Sequence, residues 1–312
     1  MTKSNLINIF TEFIWVKNTI EYSKKRTLWG LGGLPIYNVL EFFIKSIIEG
    51  AIGVRASSVA FNFFLGLFPA IIFFFTLIPY IPIPNFQLEL LKLIEDITPS
   101  FAYETIEHTI IDIATIKRGG LLSFGFFSAL YFSTKGINSL LIAFKATSLK
   151  FDNRKWVMQQ LVSILLTQMV VLLISTAIFL ITITDPILEY FISQNLIFKD
   201  VLYYLLILGK WLIVFFSFYL SISSIYYFAS ANKTNWKFFS TGSFIATFLG
   251  IATSIGLAFF VNILGHHNKL YGSLGTLIVI LLWIYLNAFV IILGFELNVS
   301  IKNAKNKNQL LE

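Results

Sequence analysis

The chain contains no cysteine, has only three histidines, and carries charge on 12% of its 312 residues. The missing cysteine excludes disulfides, thiolate metal sites and thiol nucleophiles. The scarcity of charge excludes an ordinary water-facing surface, since a soluble domain carries roughly 25% charged residues. What fills the chain is apolar, with 57% hydrophobic residues, and that excess requires lipid as solvent. The net charge of +7 comes from basic residues clustered beside apolar runs, where anionic lipid headgroups are a simpler partner than nucleic acid. No nucleic-acid partner is expected. Near the amino terminus Leu6, Ile9, Phe10, Phe13 and Ile14 recur at helical spacing without a small-residue cleavage site, so an amphipathic segment and no cleaved signal are expected.

Six stretches reach the about 20 apolar residues that a helix needs to cross hydrocarbon: 60–81, 121–144, 156–184, 201–231, 240–264 and 274–298. The expected fold is all-α, a polytopic membrane protein with six transmembrane helices plus interfacial amphipathic helices. Residues 1–57 form an amphipathic cytoplasmic region, 58–300 the transmembrane domain, and 301–312 a basic cytoplasmic tail. Within the middle part, 84–118 reads as an outer amphipathic segment broken at Pro99. Residues 35–54 are too charged to cross, but Val39, Phe42, Phe43, Ile47 and Ile48 lie on one side and suit an interfacial helix. Glu41, Lys45 and Glu49 follow at four-residue steps as an exposed charge ladder.

Orientation follows from the basic residues, because positive connections resist translocation. With both termini cytoplasmic, 16 Lys and Arg fall in inside segments and 5 in outside connections, and Lys135 and Lys210 lie within spans.

A polar group in hydrocarbon is costly, so polar residues sharing one helical face are expected to face other helices or a water-filled path. The first span carries Arg55, Ser58, Asn62, Gly66 and Pro69 on one face, and the fourth carries Tyr203, Lys210, Ser217, Ser221 and Ser224. Small residues that permit close helix approach recur as Ala246, Gly250, Ser254 and Ala258 on the fifth span and as Gly125, Ala129 and Ser133 on the second. Lys210 and Glu296 are the sharpest ionisable candidates inside spans. Lys210 has the alternative of snorkelling outward, and Glu296 that of pairing structurally with Arg55 at the cytoplasmic boundary. Candidate residues for a polar path or interhelical pair are therefore Arg55, Ser58, Asn62, Lys210, Glu296 and Asn298. Packing roles fall to Gly250, Ser254 and Gly125.

His108, His266 and His267 lie in outside connections with no third ligand at metal-binding spacing. Phosphate-cradling and common hydrolytic motifs do not occur in the sequence. Neither a metal nor a cofactor is expected, and no enzymatic activity.

Three segments carry a resemblance: Arg55-Ala-Ser-Ser-Val-Ala-Phe-Asn-Phe-Phe-Leu-Gly-Leu-Phe-Pro69, Gly119-Gly-Leu-Leu-Ser-Phe-Gly125, and Leu270-Tyr-Gly-Ser-Leu-Gly275 continuing through Leu282-Trp-Ile-Tyr285 to Leu293-Gly-Phe-Glu-Leu-Asn298. Together they resemble the YihY/BrkB family of bacterial inner-membrane proteins, and the third and fourth spans match only in hydropathy. The resemblance implies a six-span helical fold in the inner membrane and an envelope-related role, with some members tied to virulence or serum resistance and some to movement of lipid or lipopolysaccharide precursors. Members also carried an older label as a transfer-RNA processing ribonuclease. A nuclease needs acid, base or metal groups that reach phosphate on the cytoplasmic side, whereas the histidines lie outside and the inside acids Glu12, Glu21, Glu41, Glu49, Asp152 and Glu312 are scattered. The leading expectation is a transporter or flippase-like protein for a lipid or other envelope component. A non-catalytic membrane scaffold in envelope biogenesis is the alternative, and a membrane-associated ribonuclease comes third.

Overall fold

A computed structural model describes residues 33–81, 116–146, 154–193, 199–229, 237–265 and 272–309. Among the described residues there are seven α-helices and no strand: α1 (Ile36–Glu49), α2 (Ile52–Leu77), α3 (Gly119–Lys145), α4 (Trp156–Ser193), α5 (Lys199–Ala229), α6 (Thr241–Gly265) and α7 (Gly272–Gln309). A 3₁₀ turn, Ile78–Tyr80, closes α2 at Pro79. The all-α expectation holds. Five helices, α2 and α4 to α7, are long and apolar enough to cross a membrane. The expected second span corresponds to α3, whose 27 residues extend for about 40 Å at 1.5 Å per residue. It falls short in apolar content because Gly, Ser, Lys135 and Asn138 dilute its Phe and Leu. The amino-terminal residues to 32, most of the outer segment 84–118, and all three histidines lie outside the described residues.

The outward faces carry the signature of a lipid solvent. Large apolar side chains such as Phe74, Phe127, Leu165 and Phe259 are more than three-fifths exposed, a pattern that water would penalise at about 25 cal/mol per Å² and hydrocarbon does not.

The chain divides into two compact units, one made of Ala60–Ile137 and the other of the residues up to Val59 and from Asn138 onward. In the first, α2 and α3 pack antiparallel through glycines. A Cβ on Gly125 would stand 2.9 Å from the Phe73 nitrogen, and one on Gly66 would meet Phe132 at 3.4 Å. The pairs step in opposite directions along the two helices. Gly125 is thus the residue that lets the backbones touch.

In the second unit, burial concentrates at one end of each helix. Leu140 to Phe144 of α3, Ser163 to Thr167 of α4, Ser221 to Tyr226 of α5, Gly242 to Thr247 of α6 and Ala288 to Ser300 of α7 hold most of the buried positions. The alternation of direction between successive helices brings those segments together at one end. Helix α7 is 38 residues long, about 57 Å, against a hydrocarbon core of about 30 Å. The segment expected as a basic tail therefore continues the last helix to Gln309. There Ala304 is fully buried with Leu34 and Val39, and Ile36, Phe42, Leu297 and Ile301 pack around them.

Candidate functional site

The buried end of the second unit is organised by one ion pair. Arg55 lies in the first turn of α2, and Glu296 is fully buried on α7. Arg55 Nη2 donates to Glu296 Oε1 at 2.6 Å, and Nη1 donates to the Ala143 carbonyl at 2.7 Å. Ala143 is in the last turn of α3, where unsatisfied carbonyls concentrate the negative end of the helix dipole. One guanidinium therefore ties three helices, which its planar fork of donors allows and an ammonium would not. Gly50, just before α2, leaves the room: a Cβ there would lie 2.3 Å from the Ser46 carbonyl oxygen and 2.8 Å from Arg55 Nη2.

An aromatic cluster flanks the pair. Phe144 stacks on Phe295 at 4.1 Å between centroids, and Tyr226 meets both rings edge-on. The Tyr226 hydroxyl donates to the Ile291 carbonyl at 2.5 Å, so the buried phenol is satisfied. Two residues after Glu296, and so on a different side of α7, Asn298 accepts from the Gly242 amide at 2.8 Å and donates to Ser240 Oγ at 2.8 Å. It thereby serves an orphan donor at the amino end of α6. Gly242 and Gly294 make this approach possible, since a Cβ on Gly242 would stand 2.0 Å from the Gly294 carbonyl oxygen. Elsewhere in this unit Gln159 donates to Asn138 at 2.6 Å and accepts from Lys145. Arg154 donates to the Phe228 carbonyl near the end of α5, repeating the arginine-on-helix-terminus device.

The candidate residues separate accordingly. Arg55 and Glu296 meet, and Asn298 joins α7 to α6. Ser58 is on the exposed flank of α2, and Asn62 is half-buried in the other compact unit. Lys210 is half-buried on α5, sixteen residues from Tyr226 and so about 24 Å along the helix from the aromatic cluster. Gly250 and Ser254 sit in the α6–α7 contact, where a Cβ on Gly250 would meet Asn287 Oδ1 at 3.4 Å and Trp283 Nε1 donates to Ser254 Oγ at 3.0 Å. Although Gly294 and Trp283 stand in the segments that carry the family resemblance, sequence reasoning assigned no role to Tyr226, Gly242, Gly294, Trp283 and Asn287. The four-residue step from Trp283 to Asn287 was the available signal for the last two.

Ser254 and Trp283 also border a shallow, largely open groove of about 380 Å³ between α6 and α7, lined further by Leu257, Ala258, Val261, Val279 and Ile280. Its size is at the lower end of small-molecule sites, roughly 300–1,000 Å³. Among the described residues no three His, Asp or Glu side chains converge at metal-binding distance.

The chain is 29% identical over 254 residues to the ribonuclease-like protein YfkH of Bacillus subtilis (strain 168), covering 80% of this chain and 90% of that protein. No solved structure matches. The family model described as virulence factor BrkB matches residues 43–311, a stretch that includes α2 to α7, the Arg55–Glu296 pair and the α6–α7 groove, and the chain belongs to that BrkB family of membrane proteins.

Proposed function

We propose that the protein is a transporter or flippase-like carrier of a lipid or other envelope component in a bacterial inner membrane. The observation that carries this reading is the α6–α7 groove. It is apolar along its length, opens between two membrane-crossing helices, and ends at the polar contact of Ser254 with Trp283. An acyl chain fits such a lining, and the polar floor offers a point where an amphiphile changes register. Farther along α7, the Arg55–Glu296 pair and its aromatic flank then serve as the closure.

The test is transbilayer movement of a fluorescent phospholipid in vesicles carrying the purified protein, followed by quenching from one side. Wild type is expected to exceed protein-free vesicles clearly. Ala258→Trp, which fills the groove, is expected to lower the rate about tenfold, equivalent to about 1.4 kcal/mol on the barrier, while Leu249→Trp on the same helix leaves it unchanged. Equal movement with and without protein sinks the carrier reading.

A second reading, a non-catalytic scaffold, is favoured by the way Arg55 is held by both Glu296 and the Ala143 carbonyl, which suits a fixed joint. The ribonuclease-like description of the relative gains no support from Glu41, which lies 3.8 Å from Lys307, or from Glu296, which is committed to Arg55. We therefore read the chain as non-enzymatic.

A further inference from the structure

Helix α1 presents three faces. At 100° per residue, Val39, Phe42, Phe43 and Ser46 fall in one sector, Leu40, Ile44, Ile47 and Ile48 in a second, and Glu41, Lys45 and Glu49 in a third. The first sector faces the end of α7: Val39 is buried with Ala304, and Phe42 packs beside Ile301 and lies under Lys307 Nζ at 5.6 Å. The second is bare. Leu40, Ile44, Ile47 and Ile48 are all exposed, Ile48 by 62%. Four large aliphatic side chains on one side of a fourteen-residue helix have no reason to face water.

The place of this face in the molecule identifies what covers it. Only Gly50 and Ala51 separate α1 from α2, and two residues reach at most about 7 Å. Ala51 adopts φ 45°, and the Gly50 amide donates back to the Ser46 carbonyl at 2.8 Å, so the chain turns sharply and enters a membrane-crossing helix at Ile52. The carboxyl end of the bare face, Ile47 and Ile48, therefore lies beside the start of that helix. Charge agrees with this: Lys45 is on the neighbouring sector, and Lys302, Lys305 and Lys307 follow one another on the part of α7 that packs on α1. Of the acids nearby, Glu41 is drawn to Lys307.

We propose that Leu40, Ile44, Ile47 and Ile48 form a lipid-docking surface that seats α1 in the headgroup–acyl boundary of an anionic leaflet, beside the point where α2 enters. The proposal rests on membrane insertion of α2 and is independent of transport. The lysines supply the attraction to anionic headgroups, and the aliphatic sector supplies the insertion.

The chain has no cysteine, so Ile44→Cys, Ile48→Cys and, on the charged sector, Glu49→Cys each carry a single environment-sensitive fluorophore. All three positions are exposed, and folding is verified by the unfolding midpoint of each variant. In bilayer discs of phosphatidylglycerol and phosphatidylcholine, probes at 44 and 48 are expected to be quenched several-fold more by spin-labelled lipid than by iodide, with the reverse at 49. In discs of phosphatidylcholine alone, lipid quenching at 44 and 48 is expected to fall by about twofold. Iodide quenching at 44 and 48 equal to that at 49 overturns the proposal. So does shielding from both quenchers, which would mean that the amino-terminal segment or a second copy covers the face. Lipid quenching that ignores headgroup charge overturns the anionic component.

Discussion

At the scale of single residues, the Arg55–Glu296 pair is where the physical stakes are highest. Desolvating two ions costs several kcal/mol each, and their mutual attraction offsets this only with good geometry and further hydrogen bonds. The 2.6 Å contact supplies the first, and the bond to the Ala143 carbonyl contributes to the second. Removing one partner strands the other. Arg55→Gln or Glu296→Gln alone is expected to cost about 3–5 kcal/mol, and the double variant to cost clearly less than the two combined, as read from denaturant unfolding in detergent as a double-mutant cycle. Additive losses would mean that the two residues are stabilised by separate surroundings. Applied to lipid movement, the same cycle separates closure from joint, because coupling in stability with unchanged movement favours the scaffold.

At the scale of elements, glycine contacts set how closely helices approach. Gly242 and Gly256 lie on the same helix, but a Cβ on Gly242 would stand 2.0 Å from the Gly294 carbonyl oxygen, whereas one on Gly256 meets nothing within 4 Å. Gly242→Ala is accordingly expected to cost about 1–3 kcal/mol by overpacking, and Gly256→Ala to cost nothing or to stabilise by up to about 1 kcal/mol through helix propensity. Equal unfolding midpoints for the two would contradict the α6–α7 register. Much of this was legible in the sequence. The four-residue spacing of Ala246, Gly250 and Ser254 marked the face, and Gly242 extends that series by one step. The spacing does not reveal which member meets backbone, because that depends on Gly294 on another helix. Similarly, Val39, Phe42, Phe43, Ile47 and Ile48 read as one apolar side of α1, whereas the structure divides them between a face packed on α7 and a bare face. The lysines of residues 301–312 suggested a tail and obscured Ile301 and Ala304, the residues that extend the packing helix.

At the scale of the whole molecule, apolar runs sufficed to place the long helices, since hydrocarbon thickness acts on each helix separately. The meeting of Arg55 with Glu296 was legible only through orientation, which puts the start of the first span and the end of the last at one depth. That orientation is itself testable. With 16 basic residues in the inside segments and 5 in the outside connections, Asn153→Cys, Asn235→Cys and Lys305→Cys are expected to be shielded from an impermeant thiol reagent in intact cells, and His266→Cys to react. The opposite pattern would invert the molecule in its membrane.

The same ion pair has a consequence for how the chain is made. Arg55 and Glu296 are 241 positions apart, and a ribosome adding about 5–20 residues per second needs on the order of ten to fifty seconds to deliver the carboxylate after the guanidinium has emerged. Throughout that interval the first long helix carries a cation whose anion has not been synthesised. Its place in the first turn of α2 lets the side chain wait at the headgroups, where lipid phosphates act as provisional counterions. Final seating of the first helix is thus completed by the last. A chain terminated before Glu296 lacks the carboxylate that Arg55 meets in the finished molecule, and its first long helix is held by fewer contacts.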